Sequence, residues 1–445
     1  MAKAISGKDI LANFFDEGAY TTLFATSENA VTAAFGSANG QPAYAICQNG
    51  AALAAKDVQN TVKVMDMAAK TGNPVVTFYN SVGAKLEEGL TCLASAAKQS
   101  AAVAALSGVV PQIAVVTGVC GASSALSAAG ADICIMSKDA ELFLTAPFTS
   151  NAAGNKVANA GSAEFAAKAG VAHIVADTAV DAAKKAAELI GLLPSNNLSA
   201  PAVFEAGAPT GKINMAKYCP VEACESIADE GTCTELFAAF GKSAITMLGT
   251  VAGNVVGMVS LAGADKTICH NCTSKVARFV RLCDSFSIPV ITLINTDGFV
   301  KNSADDLSGG IREAARLAGT YADATTAKIA VFTGKAVGTS YTAFSSADVA
   351  IAVNGCVIAP IAPEAAVTVL YKDKIAAGEN IVSDTSKLAA EYAAEVCSAS
   401  AAVQAGIADI AVDVGELRAS IVGVLDMLST KRTQRLPKKH GNMAL

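Results

Sequence analysis

Tryptophan is absent from this chain, and aromatic residues make up only 5% of it. That scarcity favours close backbone packing and subunit interfaces over ligand cages built from rings. Positive charge is also short, with 33 Lys and Arg against 39 Asp and Glu, for a net charge of −6. A nucleic-acid binder gains its affinity by neutralising phosphates, so the balance argues against nucleic acid as a partner. No N-terminal signal precedes the 12 cysteines, which form no even framework. They read as reduced thiols of a cytoplasmic protein, most of them small buried hydrophobes. Cys269-His270-Asn271-Cys272 has metal-like spacing, but no second pair accompanies it, so no metal is expected in this chain. The uncharged stretch from Gln99 to Ala131 is long enough to cross a bilayer. It carries Pro111-Gln112 near its middle and many Gly and Ser, and reads instead as a buried helix, strand and helix.

What is present is apolar material for a large core: 52% hydrophobic residues and a mean hydropathy of +0.42 over 445 residues. Two large domains are the natural expectation. A repeat supports it. "GQPAYAICQNG" from Gly40 and "GNVVGMVSLAG" from Gly253 are Gly-bounded hydrophobic strands of equal length. Pro74, Asn80 and Gly83 recur as Pro289, Asn295 and Gly298. "TGVCGASSALSAAGADICI" from Thr117 recurs as "TGKAVGTSYTAFSSADVAI" from Thr333, and Ala146-Pro147 as Ala362-Pro363. The separation stays close to about 215 residues throughout, too long for a solenoid repeat, so the chain is a duplicated domain. Each copy reads strand, helix, strand, helix, strand, helix. The short apolar runs "PVVTF", "IAVVT", "PVITLI" and "IAVFT" suit strands covered on both faces. The Pro, Ser, Asn and Gly cluster from Leu192 to Lys212 reads as the linker, giving domains of 1–205 and 206–445.

Neither long repeat contains an obvious catalytic acid, base or nucleophile pair, and Ser123, Ser124 and Ser340 have no His nearby in sequence. Each has an apolar strand running through small residues into a helix: Gly121-Ala122-Ser123-Ser124 and Val337-Gly338-Thr339-Ser340. Backbone N–H groups at such a turn lack intrahelical partners and can face an oxygen on which charge develops. The strands before them end in related turns, Asn80-Ser81-Val82-Gly83 and Asn295-Thr296-Asp297-Gly298. A duplicated site suits a reaction with two carbonyl partners.

At this level of detail the chain resembles the carboxyltransferase subunit of biotin-dependent acyl-CoA carboxylases and decarboxylases. "PVVTFYNSVGAKLEEGL" is similar to that family's Asp-Ser-Gly-Gly-Ala-Arg-Ile-Gln-Glu-Gly stretch. "KVARFVRLCDSFSIPVITLINTDGF" is similar to its Lys-Ala-Ala-Arg-Phe-Ile-Arg and Cys-Asp-Ala-Phe-Asn-Ile-Pro run. "FFDEGAY" from Phe14 and the basic ending "KRTQRLPKKHGNMAL" also have counterparts there. The resemblance implies an α/β fold of two tandem crotonase-like domains. It implies CO2 transfer between biotin, carried on a biotin carboxyl carrier protein, and the α-carbon of a short acyl-CoA, with propionyl- or methylmalonyl-CoA favoured. Further implied partners are a biotin carboxylase or a sodium-pumping membrane decarboxylase subunit, through which alone the chain would meet a membrane. A hexamer built as a dimer of trimers is implied, each active site lying between the N-half of one chain and the C-half of another. The short N-terminus and the Lys-Lys-His-Gly-Asn ending lean the resemblance toward the decarboxylases.

Carried onto this sequence, the biotin-side oxyanion donors are backbone N–H groups of Ala122 and Ser123, and the acyl-CoA-side donors those of Thr339 and Ser340. Gly83, Gly121, Gly298 and Gly338 line the turns, and Thr342 stands where a side chain tunes the choice of acyl group. Where the family has Gly-Gly-Ala, this chain has Ala122-Ser123-Ser124 and Gly338-Thr339-Ser340, so a strained positive backbone angle is expected at Thr339. The alternatives are a catalytically degenerate assembly or CoA-binding scaffold, or a hydratase or hydrolase acting without biotin. Of the histidines, His173 reads as structural, His270 as part of a Cys-flanked loop that either reaches ligand or, the favoured reading, lies on the surface, and His440 as part of the basic tail. Lys85, Glu87 and Glu88 read either as groups that orient the first turn or as surface charge.

Overall fold

A computed structural model describes residues 6–24, 29–261, 267–378, 380–433, 436–438 and 442. His440 and Lys439 of the basic tail lie outside them. The chain divides into two compact units, residues 1–202 with 237–240, and residues 203–236 with 241–445.

The first unit contains β1 (Tyr20–Leu23), β2 (Val31–Ala38), β3 (Gln41–Gln48), β4 (Val75–Tyr79), β5 (Gln112–Val116), β6 (Val119–Gly121), β7 (Ile133–Ser137), β8 (Glu141–Phe143) and β9 (Ile174–Ala176). Its main sheet runs β1-β2-β3-β4-β5-β7-β9, and β6 pairs with β8 beside it. β1, β2 and β3 are antiparallel neighbours, and from β3 onward every pairing is parallel. β4, β5 and β7 are buried along their whole length, as continuous apolar strands under helices must be. The helices Ala55–Thr71 and Leu90–Leu106 lay Val58, Val64, Met65, Val103 and Leu106 into the same core as Tyr44, Ile46 and Val75.

The second unit repeats the plan with β10 (Thr234–Leu236), β11 (Ala244–Val251), β12 (Asn254–Leu261), β13 (Val290–Thr296), β14 (Lys328–Val337), β15 (Val349–Val353), β16 (Val357–Ala359) and β17 (Ile410–Val412). Its sheet runs β10-β11-β12-β13-β14-β15-β17, antiparallel up to β12 and parallel beyond. Here one strand, β14, does the work of both β5 and β6: its end pairs with β16 as β6 pairs with β8. The stretch Gln99–Ala131 is the end of a helix, then β5 and β6, then the helix Ser123–Gly130. No helix among the described residues is long and apolar enough to cross a membrane.

The structure adds a hairpin that the sequence reading did not include. β2 turns into β3 through Asn39 and Gly40, both at positive φ, and β11 turns into β12 through Ala252 and Gly253, likewise. Two residues of positive φ match the right-handed twist of the flanking strands. A carboxylate ties each turn. Asp16 accepts from the Asn39 and Gly40 amides at 2.8 and 2.9 Å, and Asp229 accepts from the Ala252 and Gly253 amides at 3.0 and 2.8 Å. Both belong to an Asp-Glu-Gly triplet, so the duplication reaches back to "FFDEGAY". Asp229 is fully enclosed and also accepts from Thr250 Oγ1 at 2.7 Å and Arg418 Nη2 at 2.6 Å, whereas Asp16 is exposed. Asp229→Ala therefore lowers unfolding free energy by about 3–5 kcal/mol, and Asp16→Ala by only about 1 kcal/mol. Urea denaturation of the two variants checks the difference.

Candidate functional site: two amide-headed cavities

The strand-to-helix turns of the two units have one geometry. Ala122 has φ 53 and ψ −122, and the helix Ser123–Gly130 follows it. Gly338 has φ 59 and ψ −125, and the helix Thr339–Phe344 follows it. The left-handed residue reverses the chain so sharply that its own amide still closes the strand pairing. Ala122 N–H donates to Phe143 O at 2.9 Å, and Gly338 N–H donates to Ala359 O at 2.8 Å. The next amides, of Ser123 and Thr339, head their helices, where no intrahelical acceptor exists, and they have no acceptor among the described residues. The positive angle expected at Thr339 lies one residue earlier, on Gly338, and Thr339 is an ordinary first residue of a helix. Glycine meets that angle freely, while in the first unit Ala122 takes it with a Cβ.

The preceding turns are matched as well. Ser81 Oγ accepts from Gly83 N–H at 3.1 Å, and Thr296 Oγ1 accepts from Gly298 N–H at 3.2 Å. Gly83 and Gly298 have φ values of 120 and 107. Their carbonyls accept from Leu53 N–H at 2.8 Å and Ile268 N–H at 3.0 Å. Behind each turn the Asn80 and Asn295 side chains fill the space a Cβ would need at Gly118 and Gly334, with Oδ1 atoms 2.1 and 2.2 Å from that position. The two turns of each copy are thus packed against one another by a glycine–asparagine contact.

Each pair of turns opens on a cavity. In the first unit a cavity of about 270 Å³ is lined by Gly83, Ala84, Leu93, Gly121, Ala122 and Ser123, with the helix Leu90–Leu106 as one wall. Among the described residues, no carboxylate, lysine or histidine lines it. Glu88 instead caps the helix Ala55–Thr71, accepting from Ala55 N–H at 2.7 Å. In the second unit a cavity of about 390 Å³ is lined by Phe299, Val300, Ile311, Ala314, Thr339 and Thr342, with the helix Gly310–Asp323 as the corresponding wall. Gly298 and Gly338, read from the sequence as substrate-binding, belong to the adjoining turns and are not among the residues that line it. Ser340 is enclosed, its Oγ donating to Val337 O at 2.8 Å and accepting from Val337 N–H at 3.1 Å.

His270 corrects the sequence reading. It is not in a surface loop but is the first residue of the helix His270–Ser285, lining the second cavity with Asp305 and Thr339. Its Nδ1 lies 2.6 Å from Asp305 Oδ1, and its amide donates to the same carboxylate at 3.2 Å. Asp305 was not singled out from the sequence. Only the Asn302 cap of its short helix, bonded to the Asp305 amide at 2.8 Å, marks the position locally. His173 is structural, as expected: it is buried, its Nδ1 accepts from Cys134 N–H at 3.1 Å, and its ring lies 3.8 Å from that of Phe237. No cluster of three or more metal-ligating side chains occurs among the described residues.

With two amide-headed cavities on duplicated units in view, the comparisons decide the family. The profile described as "Carboxyl transferase domain" matches residues 11–443. The chain belongs to that family. It is a carboxyltransferase, and its fold is crotonase-like in both units. It is 32% identical over 424 residues to the propionyl-CoA carboxylase beta chain of Saccharopolyspora erythraea, covering 87% of this chain and 77% of that one. It is 30% identical over 442 residues to the methylmalonyl-CoA decarboxylase subunit alpha of Veillonella parvula, covering 93% and 85%. Among solved structures, a transcarboxylase 12S hexamer with methylmalonyl-coenzyme A and methylmalonic acid bound superposes with a TM-score of 0.92 at 29% identity, covering 99% of this chain and 92% of that one.

The carboxyltransferase's two turns differ in strain, and that difference has opposite consequences for substitution. Ala122→Gly raises stability by up to about 1 kcal/mol, since relief of the left-handed angle outweighs the extra freedom of glycine in the unfolded chain. Gly338→Ala lowers stability by about 1–3 kcal/mol, because it imposes that angle on a side chain whose Cβ would stand 3.0 Å from Pro360 O. Thermal and urea unfolding of the two variants tests the signs.

Proposed function

We propose that this chain moves CO2 between biotin on a carrier protein and the α-carbon of a short acyl-CoA, with propionyl- or methylmalonyl-CoA as the acyl partner. The supporting observation is the pair of unengaged amides, of Ser123 and Thr339, each belonging to a residue that lines a cavity, the second of which also carries His270, Asp305 and Asp306. The second cavity takes the acyl thioester. In the decarboxylating direction the bond between α-carbon and carboxylate breaks, and its electron pair enters the thioester as an enolate. The Thr339 amide holds the oxygen on which that charge develops, a contribution of about 3–4 kcal/mol for a well-placed donor. Small residues on the facing helix, Ala314, Ala315 and Ala318, leave room for a short acyl chain, and Thr342 borders it.

The first cavity suits biotin. Its lining is mostly apolar, with Ser123 and Ser124 at the turn and Gln99 on the helix Leu90–Leu106 as polar groups, which suits a largely apolar ring system bearing a ureido group. The Ser123 amide would hold the ureido oxygen there, with Gly83, Gly121 and Ala122 shaping the approach. Biotin, when bound, supplies the ureido nitrogen that accepts CO2 and the proton returned to the α-carbon. Carrier, biotin carboxylase or membrane decarboxylase subunit, and a hexameric assembly like that described for the transcarboxylase relative, complete the proposal. The metabolic direction depends on which partner is present.

Thr339→Pro tests the assignment, because proline is tolerated as the first residue of a helix and removes only the amide hydrogen. With methylmalonyl-CoA and free biotin, the native chain releases propionyl-CoA in a biotin-dependent reaction, and the variant is slower by about 10²–10³ while remaining folded. A folded native oligomer that binds CoA but shows no biotin-dependent turnover would overturn the proposal and favour the scaffold alternative.

A further inference from the structure

The pair Cys269 and Cys272 plays no part in carboxyl transfer as described above. Cys269 caps the 16-residue helix His270–Ser285, and Cys272 lies on its first turn. The two sulfurs are 3.1 Å apart and unbonded. A disulfide needs about 2.05 Å, so a small shift of either side chain closes it. The sulfurs differ in access. Cys269 is half-buried, while Cys272 is fully enclosed. Gly241 packs so closely over Cys272 that a Cβ there would meet Asn271 O and Cys272 Cα at 2.9 Å.

The charges divide the roles in the same way. The Cys272 thiol donates to Cys269 Sγ and draws the Cys269 thiol well below its ordinary value. Burial opposes this, the amides of Cys272 and Asn271 add to it, and Asp305, from the neighbouring short helix, opposes it. That same hydrogen bond, together with burial, keeps Cys272 protonated. Cys272 also acts electrostatically on the buried Lys275, whose pKa burial lowers to about 8 against the raising pull of Glu235 and Cys272.

We infer that Cys269 and Cys272 form a dithiol–disulfide couple that exchanges with small-molecule disulfides, Cys269 being the attacking sulfur and Cys272 the resolving one. The Cys269 thiolate attacks one sulfur of RSSR, the S–S bond breaks, and RS⁻ leaves to be protonated by solvent. Cys272 Sγ then attacks Cys269 Sγ, and the second RS⁻ departs as RSH with the Cys272 proton. The disulfide is reduced to two thiols and the protein pair is oxidised to one disulfide. A metal is the competing use of such spacing, but among the described residues no third ligand stands with the pair, and His270 is directed to Asp305. The couple is independent of the carboxyltransfer assignment.

The test exposes the full chain to glutathione disulfide, traps remaining thiols with iodoacetamide, and maps the peptides by mass spectrometry. The native chain gives a Cys269–Cys272 disulfide. Cys272→Ser gives a glutathione adduct on Cys269, and Cys269→Ser gives none on Cys272. Alkylation of Cys269 in the untreated native chain follows a pH profile whose midpoint lies below the ordinary thiol value of about 8.5. Both cysteines still alkylated after treatment, an ordinary midpoint for Cys269, or a stoichiometric metal ion released when the pair is modified would each overturn the couple.

Discussion

The site depends on one backbone constraint: a strand must enter a helix through a single left-handed residue. At Ala122 and Gly338 that residue keeps its own amide in the strand pairing and leaves the following amide without an acceptor among the described residues. Other features hold this reversal in place. The Asn80–Gly118 and Asn295–Gly334 contacts press the two turns of each copy together, and Ser81 and Thr296 tie the glycines of the neighbouring turn. An amide fixed in this way needs no reorganisation when charge develops opposite it, which is what electrostatic stabilisation of an anion requires.

The duplication was legible in the sequence because the constraint selects small residues at fixed places. Glycines with positive φ, the asparagines that fill the space beside a glycine, and the proline heading a strand recur whenever the backbone repeats. The antiparallel hairpins were not legible. β2 reads VTAAFGSA, with too few branched residues to stand out from the Ala-rich helices, and its signal lies in an Asn-Gly turn replaced by Ala-Gly in the second copy. The helix Ile381–Val396, which has no counterpart in the first unit, interrupts the repeat late in the second copy, beyond its last aligned landmark at Pro363.

Of the site, the turns were legible and the side chains around them less so. A backbone donor leaves no chemical residue type to search for, so spacing and smallness were the only signs. The expected strain was placed at Thr339 because sequence shows where glycine is missing but not which peptide reverses. His270 looked like a loop residue because Cys, Asn and Thr around it give no helical pattern; a helix forms there because the buried face Cys272, Lys275, Val276, Phe279 and Cys283 begins at once. Asp305 became relevant only when folding brought its helix against that first turn.

In the proposed reaction the Thr339 amide is the donor to the acyl thioester. A structure of the chain with bound methylmalonyl-CoA measures this directly. The thioester oxygen is expected at about 2.7–3.1 Å from Thr339 N, with the acyl group along Ala314 and Thr342. A thioester oxygen bonded instead to His270 or to the Ser123 amide would contradict it.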